Sequence, residues 1–139
     1  MTRLQTKPHI VVCEADEGLR EAFGLMLDGW AAVSVLSRAD DCFTSLAQQQ
    51  TDLLILDLDG QDAEPLALVR SLRTAQPDLK ILLVAGEFDY DFQVACVKLG
   101  GFSFLTKLFS ASAAVAKMKI LLGLEAPSIR TRIVKIALS

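Results

Sequence analysis

The chain has 139 residues, 52% of them hydrophobic, with 14 basic against 17 acidic residues and a formal net charge of −3. That is enough for one compact domain with a sizeable core, and the charge offers no global attraction for nucleic acid or an anionic membrane. The opening MTRLQTKPH lacks the apolar stretch of a signal peptide, and no charge-free apolar run of about 18 residues occurs, so a soluble, cytoplasmic protein without a membrane segment is expected.

His9 to Cys13 is a short apolar run rich in β-branched residues and followed by Glu14, Asp16 and Glu17, as for a central parallel strand. From Gly18 to Asp28 the apolar Leu19, Ala22, Phe23, Met26 and Leu27 recur at helical spacing, with an acidic residue before them and Gly29 after. The pattern repeats: strand Ala32 to Leu36, helix Asp40 to Gln49, strand Leu53 to Leu56, helix Pro65 to Ala75. Strand Ile81 to Ala85, helix Asp91 to Leu99, strand Phe102 to Leu105 and helix Ser110 to Leu122 complete it. Strict alternation with short connections requires a parallel sheet covered on both faces, because right-handed crossovers lay a helix over the sheet after each strand. The three cysteines, Cys13, Cys42 and Cys96, form no C-x-x-C pair and sit in apolar stretches, so they read as small buried hydrophobes in a reducing compartment.

In such a sheet, sites form beyond the carboxyl ends of the strands. Glu14, Asp16, Asp57 and Lys107 converge there, although the sequence scatters them widely. Clustered carboxylates repel unless a hard cation or a fixed ammonium offsets them, which suits Mg²⁺ and a phosphoryl donor. Asp57 is the candidate nucleophile, since a carboxylate can form an acyl phosphate. Taken singly, each residue reads as well as a helix cap, a turn former or a solvated strand end; their common edge favours a shared site.

HIVVCEADEGLREAF resembles the opening of a response-regulator receiver domain, TDLLILDLDGQDAEPLALVRSLR resembles its phosphoacceptor segment, and GGFSFLTKLFS is similar to its final strand with the T-K signature. The resemblance spans residues 8 to 122 and implies a flavodoxin-like (βα)5 doubly wound sandwich, a five-stranded parallel sheet in the order 2-1-3-4-5. It implies a signalling role in a two-component phosphorelay rather than an enzyme. Asp57 would accept phosphate from a histidine kinase, a phosphotransfer protein or a small phosphodonor, and Lys107 would pair with its carboxylate and then with the phosphoryl oxygens. Glu14, Asp57 and the main-chain carbonyl of Asp59 would hold Mg²⁺, and Val84 and Phe104 occupy the switch positions.

The sequence departs from the family at Ala15, where a second metal-binding acid is usual, so weak metal binding is expected; Asp16 is a substitute ligand in reach, although capping is its better reading. Val84 replaces a Thr or Ser hydroxyl. Leu108 replaces a proline preceded by a cis bond, and since a cis bond without proline costs about 2.5–4 kcal/mol, a trans bond and a shifted loop are expected. With nucleophile and lysine kept but metal ligand and hydroxyl lost, a pseudo-receiver acting by protein contact alone is the alternative.

The family also uses the surface around the fourth helix, fifth strand and last helix for homodimers and partners. Here that surface would carry Val97, Phe102 or Phe104, Ala113 and Ala114, with core packing the better reading for Phe102 and the alanines. Residues 1–124 form the receiver-like domain. Residues 125–139 form an extension in which Pro127 starts a short extra helix with Ile129, Ile133 and Ile136 beside Arg130, Arg132 and Lys135. That extension reads as a surface helix, a linker to an output region, or a basic partner-binding or dimerisation helix. EADEG lacks the glycine-rich loop of a nucleotide site, and His9 is the lone histidine, away from the candidate site. No helix-turn-helix pair is evident, so output through a partner or effector domain is expected rather than direct DNA contact.

Overall fold

The computed structural model describes residues 6–126. Five strands alternate with five helices: β1 (His9–Cys13), α1 (Glu17–Leu27), β2 (Ala32–Leu36), α2 (Asp40–Gln48), β3 (Leu53–Asp57), α3 (Pro65–Ala75), β4 (Lys80–Ala85), α4 (Tyr90–Lys98), β5 (Ser103–Thr106) and α5 (Ala111–Leu121). All pairings are parallel and the order is β2-β1-β3-β4-β5, the doubly wound arrangement that the alternation requires. The extra helix expected from Pro127 lies outside the described residues.

The strands sort their side chains by parity. Val11, Cys13, Leu54, Leu56, Ile81 and Leu83 face α2, α3 and α4. Ile10, Val12, Leu53, Ile55, Leu82 and Val84 face α1 and α5, where Phe23, Leu27, Ala114 and Met118 complete the second layer. All three cysteines are free and buried. Because β1, β3 and β4 are covered on both faces, their sequences are continuous apolar runs; β2, at the sheet edge, leaves Val35 exposed. Ala114 is buried, but its neighbour Ala113 lies on the surface, which corrects the expectation that both pack inward. Successive helical residues point about 100° apart, so only one of the two can face the sheet.

Helix starts are fixed by side chains accepting amide protons: Asp16 from Leu19 at α1, Glu64 from Ala67 at α3 with Pro65 in the first turn, Asp89 from Phe92 at α4, and Ser110 from Ala113 at α5. Helix α2 lacks such a cap, and Gln61 from the loop after β3 supplies the acceptor instead, its Oε1 2.8 Å from the Ala39 amide. Each cap sets where the chain leaves the strand before it, and so sets the shape of the site at the carboxyl edge.

Candidate phosphoacceptor site

Strand β3 runs one residue further than its apolar pattern and ends on Asp57, which is fully buried. The register opposes Asp57 to Val84 on β4, and Ala85 to Thr106 on β5. Lys107 therefore leaves β5 beside the carboxylate, and its Nζ lies 2.6 Å from Asp57 Oδ2 and 3.2 Å from Asp59 Oδ2. The other oxygen of Asp57, Oδ1, accepts the Asp59 amide at 2.9 Å. Partial burial alone would lower the Lys107 pKa; its hydrogen bonds to Asp57 and Asp59 override that and hold the ammonium above its ordinary range.

Glu14 follows β1 and is buried beside Asp57. Burial is the main cause that pushes its carboxyl up to about 8, aided by the neighbouring Asp57 carboxylate and opposed by the Asp16 amide. That amide reaches Glu14 Oε2 at 3.0 Å, while the buried Oε1 has no hydrogen-bond partner. Near neutral pH Glu14 therefore carries a proton, while the Lys107 ammonium lies against Asp57. Arg20 braces this turn from inside α1, its guanidinium donating to the Glu14 and Ala15 carbonyls at 2.9 and 2.8 Å.

Asp16 is spent on the α1 cap, its Oδ2 2.8 Å from the Leu19 amide. Ala15 packs against the loop after β3: a Cβ placed on Gly60, whose φ is +78°, would come within 3.1 Å of the Ala15 methyl. Val84 is fully buried in the α1/α5 layer. Phe104 packs on the opposite layer, edge-on to Phe88 with ring centroids 5.0 Å apart.

Asp59 enters the sequence reading only through its carbonyl, yet its side chain is the third polar arm of the site: Oδ2 takes the Gly86 amide at 2.9 Å as well as the Lys107 ammonium. A second carboxylate two residues beyond Asp57 is its only signal in the sequence. The Lys107–Leu108 peptide is cis, which corrects the expectation of a trans bond. Lys107 is pinned at both its main-chain N–H, 2.9 Å from the Ala85 carbonyl, and its ammonium. Ser110 then caps α5, so two residues must make the turn, and Leu108 projects into solvent.

Among the described residues no three His, Cys, Asp or Glu side chains gather as a metal cluster. The oxygen donors present nevertheless fit a hard cation: the unpartnered Glu14 Oε1, the Asp57 carboxylate and a main-chain carbonyl at Asp59. Arg38, Asp40 and His9 belong elsewhere. The first two form an exposed ion pair at the start of α2. His9 sits at the amino end of β1 against Gln50 and Ser34.

The model of the response regulator receiver domain matches residues 10–119. The C4-dicarboxylate transport transcriptional regulatory protein DctD of Rhizobium meliloti is 28% identical over 133 residues, covering 91% of this chain and 29% of that protein. The transcriptional regulatory protein FixJ of Bradyrhizobium diazoefficiens is 23% identical over 132 residues, covering 94% of this chain and 64% of its own length. The chain thus spans less than two thirds of these relatives. Among solved structures, a CheY-like receiver domain protein from Methanospirillum hungatei superposes with a TM-score of 0.77 at 18% identity, over 85% of this chain and 95% of that one. A response regulator from Thermotoga maritima gives 0.73 at 23% identity, over 84% and 98%. With the doubly wound sheet, the buried acid at the end of β3 and the family match over most of the chain, this protein belongs to the response-regulator receiver domains of two-component signalling.

Proposed function

We propose that Asp57 is a phosphoacceptor. A carboxylate oxygen of Asp57 attacks phosphorus, the bond from phosphorus to the donor's imidazole nitrogen or carboxyl oxygen breaks, and an acyl phosphate forms. The observation that carries this reading is the buried Asp57 carboxylate 2.6 Å from Lys107. The ammonium sits against the nucleophile in a buried place and can follow the charge onto the phosphoryl oxygens. Glu14, Asp57 and the Asp59 carbonyl would hold Mg²⁺, which when bound offsets phosphoryl charge. Binding there is weak, because Ala15 supplies no ligand and Asp16 is engaged at the helix cap.

A histidine kinase or phosphotransfer protein is the proposed donor. Output passes to a partner or effector region, in keeping with relatives named as transcriptional regulatory proteins. The surface of α4, β5 and α5, where Tyr90 and Val97 are exposed, is the proposed face for a homodimer or partner. No helix of the described residues is long and apolar enough to cross a membrane.

Intact-mass spectrometry after incubation with acetyl phosphate or phosphoramidate and Mg²⁺ tests the assignment. A gain of one phosphoryl mass in the native chain, absent in a folded Asp57→Asn variant, is expected. A second reading, contact signalling without phosphoryl chemistry, is favoured by Val84, which places a methyl where the family has a hydroxyl. It would prevail if neither donor labels the native chain at any metal concentration.

A further inference from the structure

A groove of about 440 Å³ opens between the connection from β3 to α3 and that from β4 to α4. Its apolar floor is formed by Leu58, Leu66, Phe88 and Phe92, all only partly buried. Phe88 and Phe92 stack with centroids 6.3 Å apart. Asp59, Glu64, Glu87, Asp89 and Asp91 form its rim, and no basic residue lines it. A floor of this kind asks for aliphatic side chains and the rim for cations.

The sequence contains a segment with that chemistry. Ile129, Ile133 and Ile136 recur at helical spacing, Arg130, Arg132 and Lys135 lie among them, and no acidic residue occurs from position 126 to 139. The segment cannot serve the groove of its own chain. Leu122 and Leu124 line a cavity with Pro8, Thr51 and Asp52, at the amino ends of the strands. The groove lies at their carboxyl ends, and α5 covers the opposite face of the sheet from α3 and α4. A five-residue strand spans about 17 Å. The five residues from Leu124 to Ile129, even fully extended, reach about 17 Å, leaving nothing to round the sheet.

We propose that this groove binds residues 129–136 of a second copy of the chain, making a dimer by reciprocal exchange. The three isoleucines cover the aromatic floor and the three cations meet the acidic rim, and two-fold symmetry satisfies both grooves at once. Asp59 lines the groove and pairs with Lys107, so the occupant sits one side chain from Asp57. The proposal does not depend on phosphorylation of Asp57.

Sedimentation velocity on the full chain, from micromolar to millimolar concentration, tests it. The native chain is expected to dimerise, more weakly as salt rises. R130E/R132E/K135E should weaken the dimer about tenfold or more, as several lost charge pairs would. E87K/D91K should do the same, and the two sets combined should restore association. Circular dichroism melts confirm that each variant is folded, which the exposure of Glu87 and Asp91 favours for the groove variant. A native chain that stays monomeric overturns the proposal, as does a dimer indifferent to the tail substitutions, the result expected of pairing through α4, β5 and α5. Failure of the combined variant to reassociate overturns the pairing of this segment with this groove.

Discussion

Glu14 stores a proton where the chain could have kept a second negative charge. Its carboxyl is held up near 8, first by burial and then by the neighbouring Asp57 carboxylate, whereas in the unfolded chain it ionises near its ordinary value of about 4.3. The folded state therefore binds more protons between those values. The stability due to this group is full below the unfolded pKa and is lost as pH rises toward 8, at up to about 1.4 kcal/mol per pH unit. Glu14→Gln keeps the shape and a donor toward Asp57 but cannot titrate. Urea unfolding in chelator should give equal stabilities for the two proteins near pH 4 and a more stable variant at pH 8. Parallel pH profiles would refute the assignment.

Asp59 poses the complementary case. Its carboxylate spans the Lys107 ammonium and the Gly86 amide, two donors that an incoming phosphoryl group could also use. Asp59→Ala leaves its main-chain carbonyl in place and releases both. Acyl phosphate formation from acetyl phosphate should be severalfold faster in this variant, measured as the rate of mass gain, and a slower reaction would show that the carboxylate helps to hold the site.

Among the elements, α3 is anchored through Arg73, whose Nη1 donates to the carbonyls of Gln76, Pro77 and Leu79 and whose Nη2 reaches Gly101. The same guanidinium stacks over Phe102 at 4.7 Å, which is why that aromatic ring is half-buried rather than free for a partner. Arg73→Ala would leave several carbonyls short of a donor and should cost about 1–3 kcal/mol; Arg73→Lys should recover little, because one ammonium cannot imitate the fork. Denaturant midpoints would show both.

The elements themselves were legible because apolar runs and helical periodicity answer directly to the two-sided burial of a parallel sheet. Boundaries such as the start of α1 at Glu17 were less so, since they depend on which side chain caps. At the site, the meeting of Asp57 and Lys107 was legible from their shared edge of the sheet, while their roles rest on the family resemblance. The bridging role of the Asp59 side chain was not, because it depends on Gly86, which only the pairing of β3 with β4 brings near. The cis bond before Leu108 escaped for a similar reason: Leu108 carries no local signal for it, and Lys107 is fixed by contacts distant in sequence.

At the scale of the whole molecule, the sheet divides the core into two layers that share β1, β3 and β4. Burial is unequal across it: every residue of β3 is buried and β4 is exposed only at Lys80, while β2 is partly or fully exposed throughout. Local opening follows the same gradient, because an edge strand exposes its backbone without breaking either layer. Amides of β3 and β4 should thus exchange only through global unfolding and those of β2 sooner. Phe23, fully buried under β1 and against Phe109, belongs to one layer alone. Phe23→Ala should cost about 3–5 kcal/mol. If the shared strands make the two layers one cooperative unit, exchange of Leu54 and Leu83 amides should accelerate by the full global factor, although their side chains face the other layer. Acceleration confined to α1, α5 and their neighbours would instead mean that the layers open separately, and that a signal at the carboxyl edge need not cross the sheet.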